Sequence, residues 1–298
     1  MADTSPRDGA IRLDDGRALA FREWGVPGGP PVLAFHGTPG SRLWWPGEAA
    51  TLASGAHLVT VDRPGYGGSD PMPGRPVGAW PSDVAELTAA LGIDRFGVVG
   101  WSGGAPYAAA VAAQMPERLT GVCLASSASL TYVLETVERD DEDLANLSAA
   151  ERLGAAAATL RYAENLGEWA AGIRQDPMGF VFSNGSVAEG DRPLFDDPAF
   201  AAGFVGSVEE GLRQGALGAA TDWMALLRPW GFGLDDIAIH VDLWHGAQDA
   251  NVDRVAFETV AAGLPDARLT VWDDAGHYGP AKHWPDVLAV ALGLGHAR

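Results

Sequence analysis

Gly100-Trp101-Ser102-Gly103-Gly104 is the stretch on which the reading of this chain turns. Phe96-Gly97-Val98-Val99 leads into it, a short apolar run that reads as a buried strand. Ala105 to Met115 leads out of it, an Ala-rich run that reads as a helix. A serine between small residues at a strand-to-helix turn is the mark of a nucleophile elbow. So tight a turn strains the backbone at the serine, and side chains two positions to either side would collide. Gly100 and Gly104 remove those side chains. Gly103 leaves its N–H able to face a reacting carbonyl, and the helix that follows aims its positive end at the same spot. Taken alone, the pentapeptide also fits a Gly-rich turn with an incidental serine. Three further features, correctly ordered along the chain, weigh against that.

The chain has 298 residues, enough for one large domain or two small ones, and 47% of them are hydrophobic, so a sizeable core is expected. Its formal charge is −19, and Lys282 is its single lysine. No stretch concentrates arginine, which argues against nucleic acid as a partner, and anionic membranes would repel this surface. A strongly anionic substrate is disfavoured for the same reason. A small-molecule substrate is expected, with either a monomer or a homo-oligomer as the working form. The single cysteine, Cys123, lies in the apolar run Leu119 to Ala125 and reads as a core residue, with no disulfide possible within the chain. Met1 to Ala10 lacks the apolar core of a signal peptide, and no window approaches the roughly 18 apolar residues of a membrane span. The expectation is a soluble, cytoplasmic protein.

Outward from the elbow, apolar strands alternate with helices. Residues 11–13 and 17–24 read as strands joined through Asp14-Asp15-Gly16. Residues 32–35 form a strand ending in His36-Gly37-Thr38-Pro39-Gly40-Ser41, and residues 56–61 one ending in Asp62-Arg63-Pro64-Gly65-Tyr66-Gly67-Gly68-Ser69. Residues 80–91 show helical spacing, with Val84, Leu87 and Leu91 on one face. Residues 119–125 form the strand after the elbow helix. From about 130 to 234 the alternation stops. Glu135 to Asp143 reads as a solvated acidic helix face. Ten aromatics between 161 and 232 read as the small core of an insert, with a few available to line a pocket facing Ser102. The pattern resumes with a strand at 239–244 leading into His245-Gly246-Ala247-Gln248-Asp249, and a helix at 252–262. A strand at 268–272 then leads into Asp273-Asp274-Ala275-Gly276-His277, and a helix covers 281–292. This is the pattern of an α/β fold with a parallel sheet buried on both faces.

On these residues the chain resembles the α/β-hydrolase-fold enzymes that carry a helical cap. The matching positions are His36-Gly37, Asp62 to Gly67, the elbow at Ser102, Asp249 and His277, and the order nucleophile, acid, histidine is the family's order. The resemblance implies a mostly parallel, doubly wound sheet of eight strands. The core would comprise 1–129 and 235–298, with an α-helical cap inserted at 130–234. It further implies a cofactor-independent serine hydrolase. Ser102 would be the nucleophile, which needs a base because a serine hydroxyl is nearly inert at neutral pH. His277, behind small Ala275 and Gly276, would be that base, and Asp249 the acid that holds it in the useful tautomer. Some relatives place the acid after the strand that follows the elbow helix. Here that site reads Ser126-Ser127-Ala128-Ser129, with no carboxylate before Glu135, which leaves Asp249, with Asp253 as a substitute. Asp273 and Asp274 read as solvated or capping residues, and His245 as structural.

The oxyanion hole would use the N–H of Gly103 and, by family analogy, that of Thr38, in a loop shaped by His36. Asp62 to Ser69 lacks the Gly-Lys-Ser/Thr of a phosphate loop and reads as structural. Trp101, Trp44-Trp45 and Trp223 are candidates either to wall the pocket or to pack. No metal-ligand spacing and no dinucleotide fingerprint is present, so neither metal nor cofactor is implied. The expected substrate is a small to medium carboxylic ester with an apolar part. The alternatives use the same triad as an aminopeptidase or amidase, thioesterase, carbon–carbon hydrolase, or natural-product cyclase or lyase. Haloalkane dehalogenase and epoxide hydrolase chemistry is disfavoured, since those relatives use aspartate where Ser102 stands. A third possibility is a hydrolase fold repurposed as a non-catalytic ligand receptor.

Overall fold

The computed structural model describes residues 3–44, 47–133, 138–183, 185, 187–252 and 254–295. Its centre is a sheet of eight strands, β1 (Arg7–Arg12), β2 (Ala18–Gly25), β3 (Pro31–Phe35), β4 (His57–Val61), β5 (Phe96–Trp101), β6 (Leu119–Ala125), β7 (Val241–Gly246) and β8 (Ala267–Trp272). Their order in space is β1-β2-β4-β3-β5-β6-β7-β8. β2 runs antiparallel to β1 and β4, and the remaining pairs are parallel. The elbow strand β5 therefore lies inside the sheet, between β3 and β6.

The first helix, α1 (Glu48–Ser54), joins β3 to β4. Alternation along the strands feeds two cores. Leu33, Phe35 and Val98 point to one face, with Val84 and Leu87 of α2 (Trp80–Ala90) and Val111 of α3 (Ala105–Gln114). Val32, Ala34, Val99 and Cys123 point to the other, with Trp284 and Val287. This is why inner strands such as β3, β4 and β5 read as continuous apolar runs: neither of their faces meets water.

Most element boundaries fall within a residue or two of the sequence expectation, and three differences have a physical reason or change an element. β1 begins at Arg7, not at residue 11, because it is an exposed edge strand whose pairing Arg7↔Glu23 carries no apolar signal. β7 begins at Val241, two residues late. The last helix is two pieces, Gly279–Lys282 and Trp284–Ala291, and Pro285 lies in the first turn of the second piece.

Between β6 and β7 the chain is helical, with α4 (Asp141–Leu153), α5 (Ala155–Asn165), α6 (Gly167–Gln175), α7 (Pro177–Ser183), α8 (Arg192–Asp196), α9 (Pro198–Gly211) and α10 (Leu217–Leu226). Asp140 caps α4 by accepting the N–H of Asp143 at 2.8 Å, and three acids fill its first turn, so the acidic stretch opens a solvated helix. Glu135 lies outside the described residues. The insert's aromatics divide: Tyr162, Trp169, Phe180 and Trp223 pack on one another within the insert, while others reach the core of the sheet. Phe195 and Phe204 pack edge-on against Tyr278 at 4.9 and 5.9 Å, and Trp230 joins the sheet's other core. A small separate cluster does form around Ala158, Tyr162, Ala220 and Met224. Among the described residues no helix is long and apolar enough to cross a bilayer.

Candidate active site

Ser102 follows β5 with φ +51°, a left-handed conformation that a non-glycine residue adopts only where its surroundings impose it. The surroundings are close backbone. A β-carbon on Gly104 would lie 2.2 Å from the Phe35 carbonyl oxygen, and one on Gly100 would lie 2.6 Å from Ala105 Cα. The Ser127 hydroxyl donates to the Ser102 carbonyl at 2.6 Å and pins the turn from β6.

Three chain-distant side chains meet here. Ser102 Oγ is 3.1 Å from His277 Nε2, and His277 Nδ1 is 3.0 Å from Asp249 Oδ2. Asp249 also accepts the N–H groups of Asn251 (2.8 Å) and Val252 (3.2 Å) through its other oxygen. Burial opposes its ionisation, but His277 and these donors outweigh burial and hold its carboxyl below the ordinary range. Asp253 lies outside the described residues. Asp274 pairs with Lys282 and His283 at 2.9 Å each, away from the His277 ring. His245 is buried in β7 against Phe257.

The loop after β3 closes over the elbow. A β-carbon on Gly103 would be 2.3 Å from Thr38 Oγ1 and 3.3 Å from the Thr38 nitrogen, so the two expected oxyanion donors are neighbours. His36 is buried, and burial first, then Arg63, pushes its imidazole well below the usual range, keeping it neutral. It therefore donates Nδ1–H to the Gly37 carbonyl at 2.7 Å. In the turn after β4, Asp62 accepts the Gly68 N–H at 2.8 Å, which closes the Gly-rich loop.

Two buried acids of the insert reach this machinery, and sequence reasoning identified neither. Asp222 on α10 binds Arg63 Nη2 at 2.7 Å and Arg75 Nη2 at 3.0 Å behind the Thr38 loop. Asp191, fully buried, accepts the Gly276 N–H at 2.8 Å and the Tyr278 N–H at 3.1 Å, the amides of the residues before and after His277. A buried acid predicts a partner, but no local pattern in the insert says which acids are buried.

A cavity of about 300 Å³ opens onto Ser102 and His277. Trp101, Tyr278, Ser129 and Val252 line it from the core, and Ile173, Phe180, Val181, Phe204 and Val208 from the insert. Trp101 donates its indole N–H to the His277 carbonyl at 3.0 Å. Trp44 is not in the lining: it stacks behind Trp101, with ring centroids 4.9 Å apart. Trp223 is not there either, because α10 turns it towards Tyr162 and Trp169. Trp45 lies outside the described residues. Among the described residues no group of three His, Cys, Asp or Glu side chains is placed to hold a metal ion.

A family model described as the alpha/beta hydrolase fold matches residues 30–283. The chain is similar to a pimeloyl-[acyl-carrier protein] methyl ester esterase of Aromatoleum aromaticum, 30% identical over 265 residues that cover 88% of this chain and 96% of that one. A non-heme chloroperoxidase of Streptomyces lividans is 34% identical over 122 residues, 40% of this chain and 44% of that one. Among solved structures, a thermophilic esterase from Thermogutta terrifontis superposes with a TM-score of 0.66 at 22% identity, covering 95% of this chain and 96% of that one. A bromoperoxidase from Bacillus anthracis does so with a TM-score of 0.67 at 20% identity, covering 96% and 99%. These superpositions show a shared fold.

Proposed function

This chain belongs to the α/β-hydrolase-fold family, and from that premise we propose that it is a cofactor-independent serine hydrolase acting on a small to medium, uncharged carboxylic ester with an apolar part. The observation that carries this reading is the line Ser102 Oγ, His277 Nε2 and His277 Nδ1, Asp249 Oδ2, at 3.1 and 3.0 Å, opening into the cavity. About 300 Å³ is at the small end of ligand pockets, and the insert contributes apolar side chains to its wall. The charge of −19 disfavours an anionic ligand. The name of the Aromatoleum relative, a methyl ester esterase, supports ester chemistry. Residues 130–234 serve as the cap over the site.

In this mechanism Ser102 Oγ attacks the ester carbonyl while His277 Nε2 takes its proton. The carbonyl oxygen becomes an oxyanion held by the N–H groups of Thr38 and Gly103, in a turn that also presents the positive end of α3. Asp249 fixes the imidazole and stabilises it as imidazolium. Collapse breaks the bond to the alcohol, which leaves with the proton from Nε2. Water, deprotonated by the same nitrogen, then releases the acid and restores Ser102.

The test is hydrolysis of p-nitrophenyl esters from acetate to octanoate, with Ser102→Ala as control. Turnover favouring short to medium chains is expected, with loss of about 10⁴-fold or more in the variant. Full activity in Ser102→Ala overturns the mechanism. Fluorophosphonate labelling of Ser102 without ester turnover would move the reading to an amide, thioester or carbon–carbon bond.

A further inference from the structure

Behind His36-Gly37-Thr38 lies a buried charge cluster that the steps at Ser102 do not use. Arg63 and Asp222 are 0% and 1% exposed. Arg63 donates from Nη2 and Nε to Asp222 Oδ2 at 2.7 and 3.1 Å, where the Tyr66 hydroxyl also donates at 2.9 Å. The other carboxylate oxygen accepts from Arg75 Nη2 at 3.0 Å and the Tyr107 hydroxyl at 2.7 Å. A carboxylate so surrounded fixes the plane of the Arg63 guanidinium, whose donors form a rigid fork.

Held in that plane, Arg63 directs its other N–H groups at the loop main chain. Nη1 donates to the His36 carbonyl, and Nη2 donates to the Gly37 carbonyl at 3.3 Å and to Thr38 Oγ1 at 3.2 Å. The Gly37 carbonyl also receives His36 Nδ1–H, so it has two donors. That carbonyl and the Thr38 N–H belong to one peptide unit. In a trans unit they point in opposite directions. Holding the carbonyl on the Arg63 side therefore puts the N–H on the other side, where the Thr38 nitrogen lies beside Gly103 of the elbow. A turned-over unit would strip two donors from a buried carbonyl and present an oxygen, not an N–H, to the developing oxyanion.

Given the reading of Ser102 as nucleophile, we infer that Arg63, clamped by Asp222 of the insert, is the positioning residue that keeps the Gly37–Thr38 peptide turned to serve the oxyanion hole. The insert then does more than cover the substrate. Through α10 it holds one of the two oxyanion donors.

The test is Arg63→Met, which keeps a long stem and removes every donor while leaving Asp222 its Arg75, Tyr66 and Tyr107 partners. The ester kinetics and the inhibition constant of a boronic acid, which mimics the tetrahedral state, are measured in both proteins. Loss of a whole oxyanion donor costs roughly 100- to 1000-fold, so misaiming one is expected to lower kcat about 10- to 100-fold. KM and the affinity for the carboxylate product should stay within about twofold, while boronate affinity falls in step with kcat. A folded variant with wild-type kcat and boronate affinity, or one altered in KM alone, overturns the inference. Should Arg63→Met not fold, Arg63→Lys carries the same comparison. It keeps the charge beside Asp222 but cannot hold both carbonyls. Labelling of wild-type Ser102 by a fluorophosphonate separates the two levels. Its failure sinks the serine mechanism, whereas intact labelling with unchanged variant kinetics sinks the role of Arg63 alone.

Discussion

Ser102 holds its left-handed backbone because glycine stands at each position where a β-carbon would meet main chain. At Gly104 the obstacle is the Phe35 carbonyl oxygen at 2.2 Å, part of β3 and unable to move without the sheet. Gly104→Ala is therefore expected to destabilise by about 1–3 kcal/mol or more, read as a lowered urea midpoint. At Gly103 the nearest obstacle is a side-chain atom, Thr38 Oγ1 at 2.3 Å. Stability is less at stake there than the spacing of the two proposed oxyanion donors. At this scale the sequence was legible, because the steric demand of a tight turn is met by residues adjacent in the chain.

At the scale of elements, the strands supply position and the insert supplies restraint. The turn Glu189 to Asp191 is tied to the loop before His277 at several points. Gly190 donates to Gln248 Oε1 at 2.8 Å, Gln248 donates to the Asp273 carbonyl at 3.0 Å, and Asp191 spans the Gly276 and Tyr278 N–H groups. In Asp191→Asn one of those N–H groups would face an NH₂ instead of an acceptor. The expected cost is about 1–3 kcal/mol of stability in denaturant titrations, with kcat lowered and KM little changed, since His277 is displaced and the cavity wall is not. An unaltered kcat would reduce Asp191 to a purely structural tie. The sequence predicts that most aromatics of 161–232 form an inner core of the insert and that a few line a pocket facing Ser102, and Tyr162, Trp169 and Trp223 do pack within the insert while Phe180 and Phe204 line the cavity. Phe195 and Phe204 also meet Tyr278, because a helical insert buries its apolar stripe against the core it covers, here the loop that carries His277.

At the scale of the molecule, buried ionisable groups couple stability to pH. The folded chain keeps His36 neutral, whereas the unfolded chain protonates it below about pH 6.5. A depressed histidine contributes stability that is complete above that pH and is lost as pH falls below it, by up to about 1.4 kcal/mol per pH unit. Asp62 and Asp191, pushed up by burial, act in the opposite sense, losing their contribution as pH rises through their raised values. The difference between wild type and His36→Asn isolates the histidine. That difference in unfolding free energy should shrink from pH 7 to pH 5. A difference independent of pH would mean that folding leaves the titration of His36 unshifted.

The sequence by itself determined the strand–helix alternation, the elbow and the chain order of Ser102, Asp249 and His277. Each of these is written in neighbouring residues, as an apolar period, a glycine or a strand end. Only the tertiary structure decided which acids of the insert lie behind the site, and which of Trp44, Trp101 and Trp223 faces the cavity. Arg63 and Asp222 are 159 positions apart and Asp191 and Gly276 are 85 apart. Such pairs form only after separate elements pack, when a carboxylate taken out of water must find its donors wherever the fold has brought them.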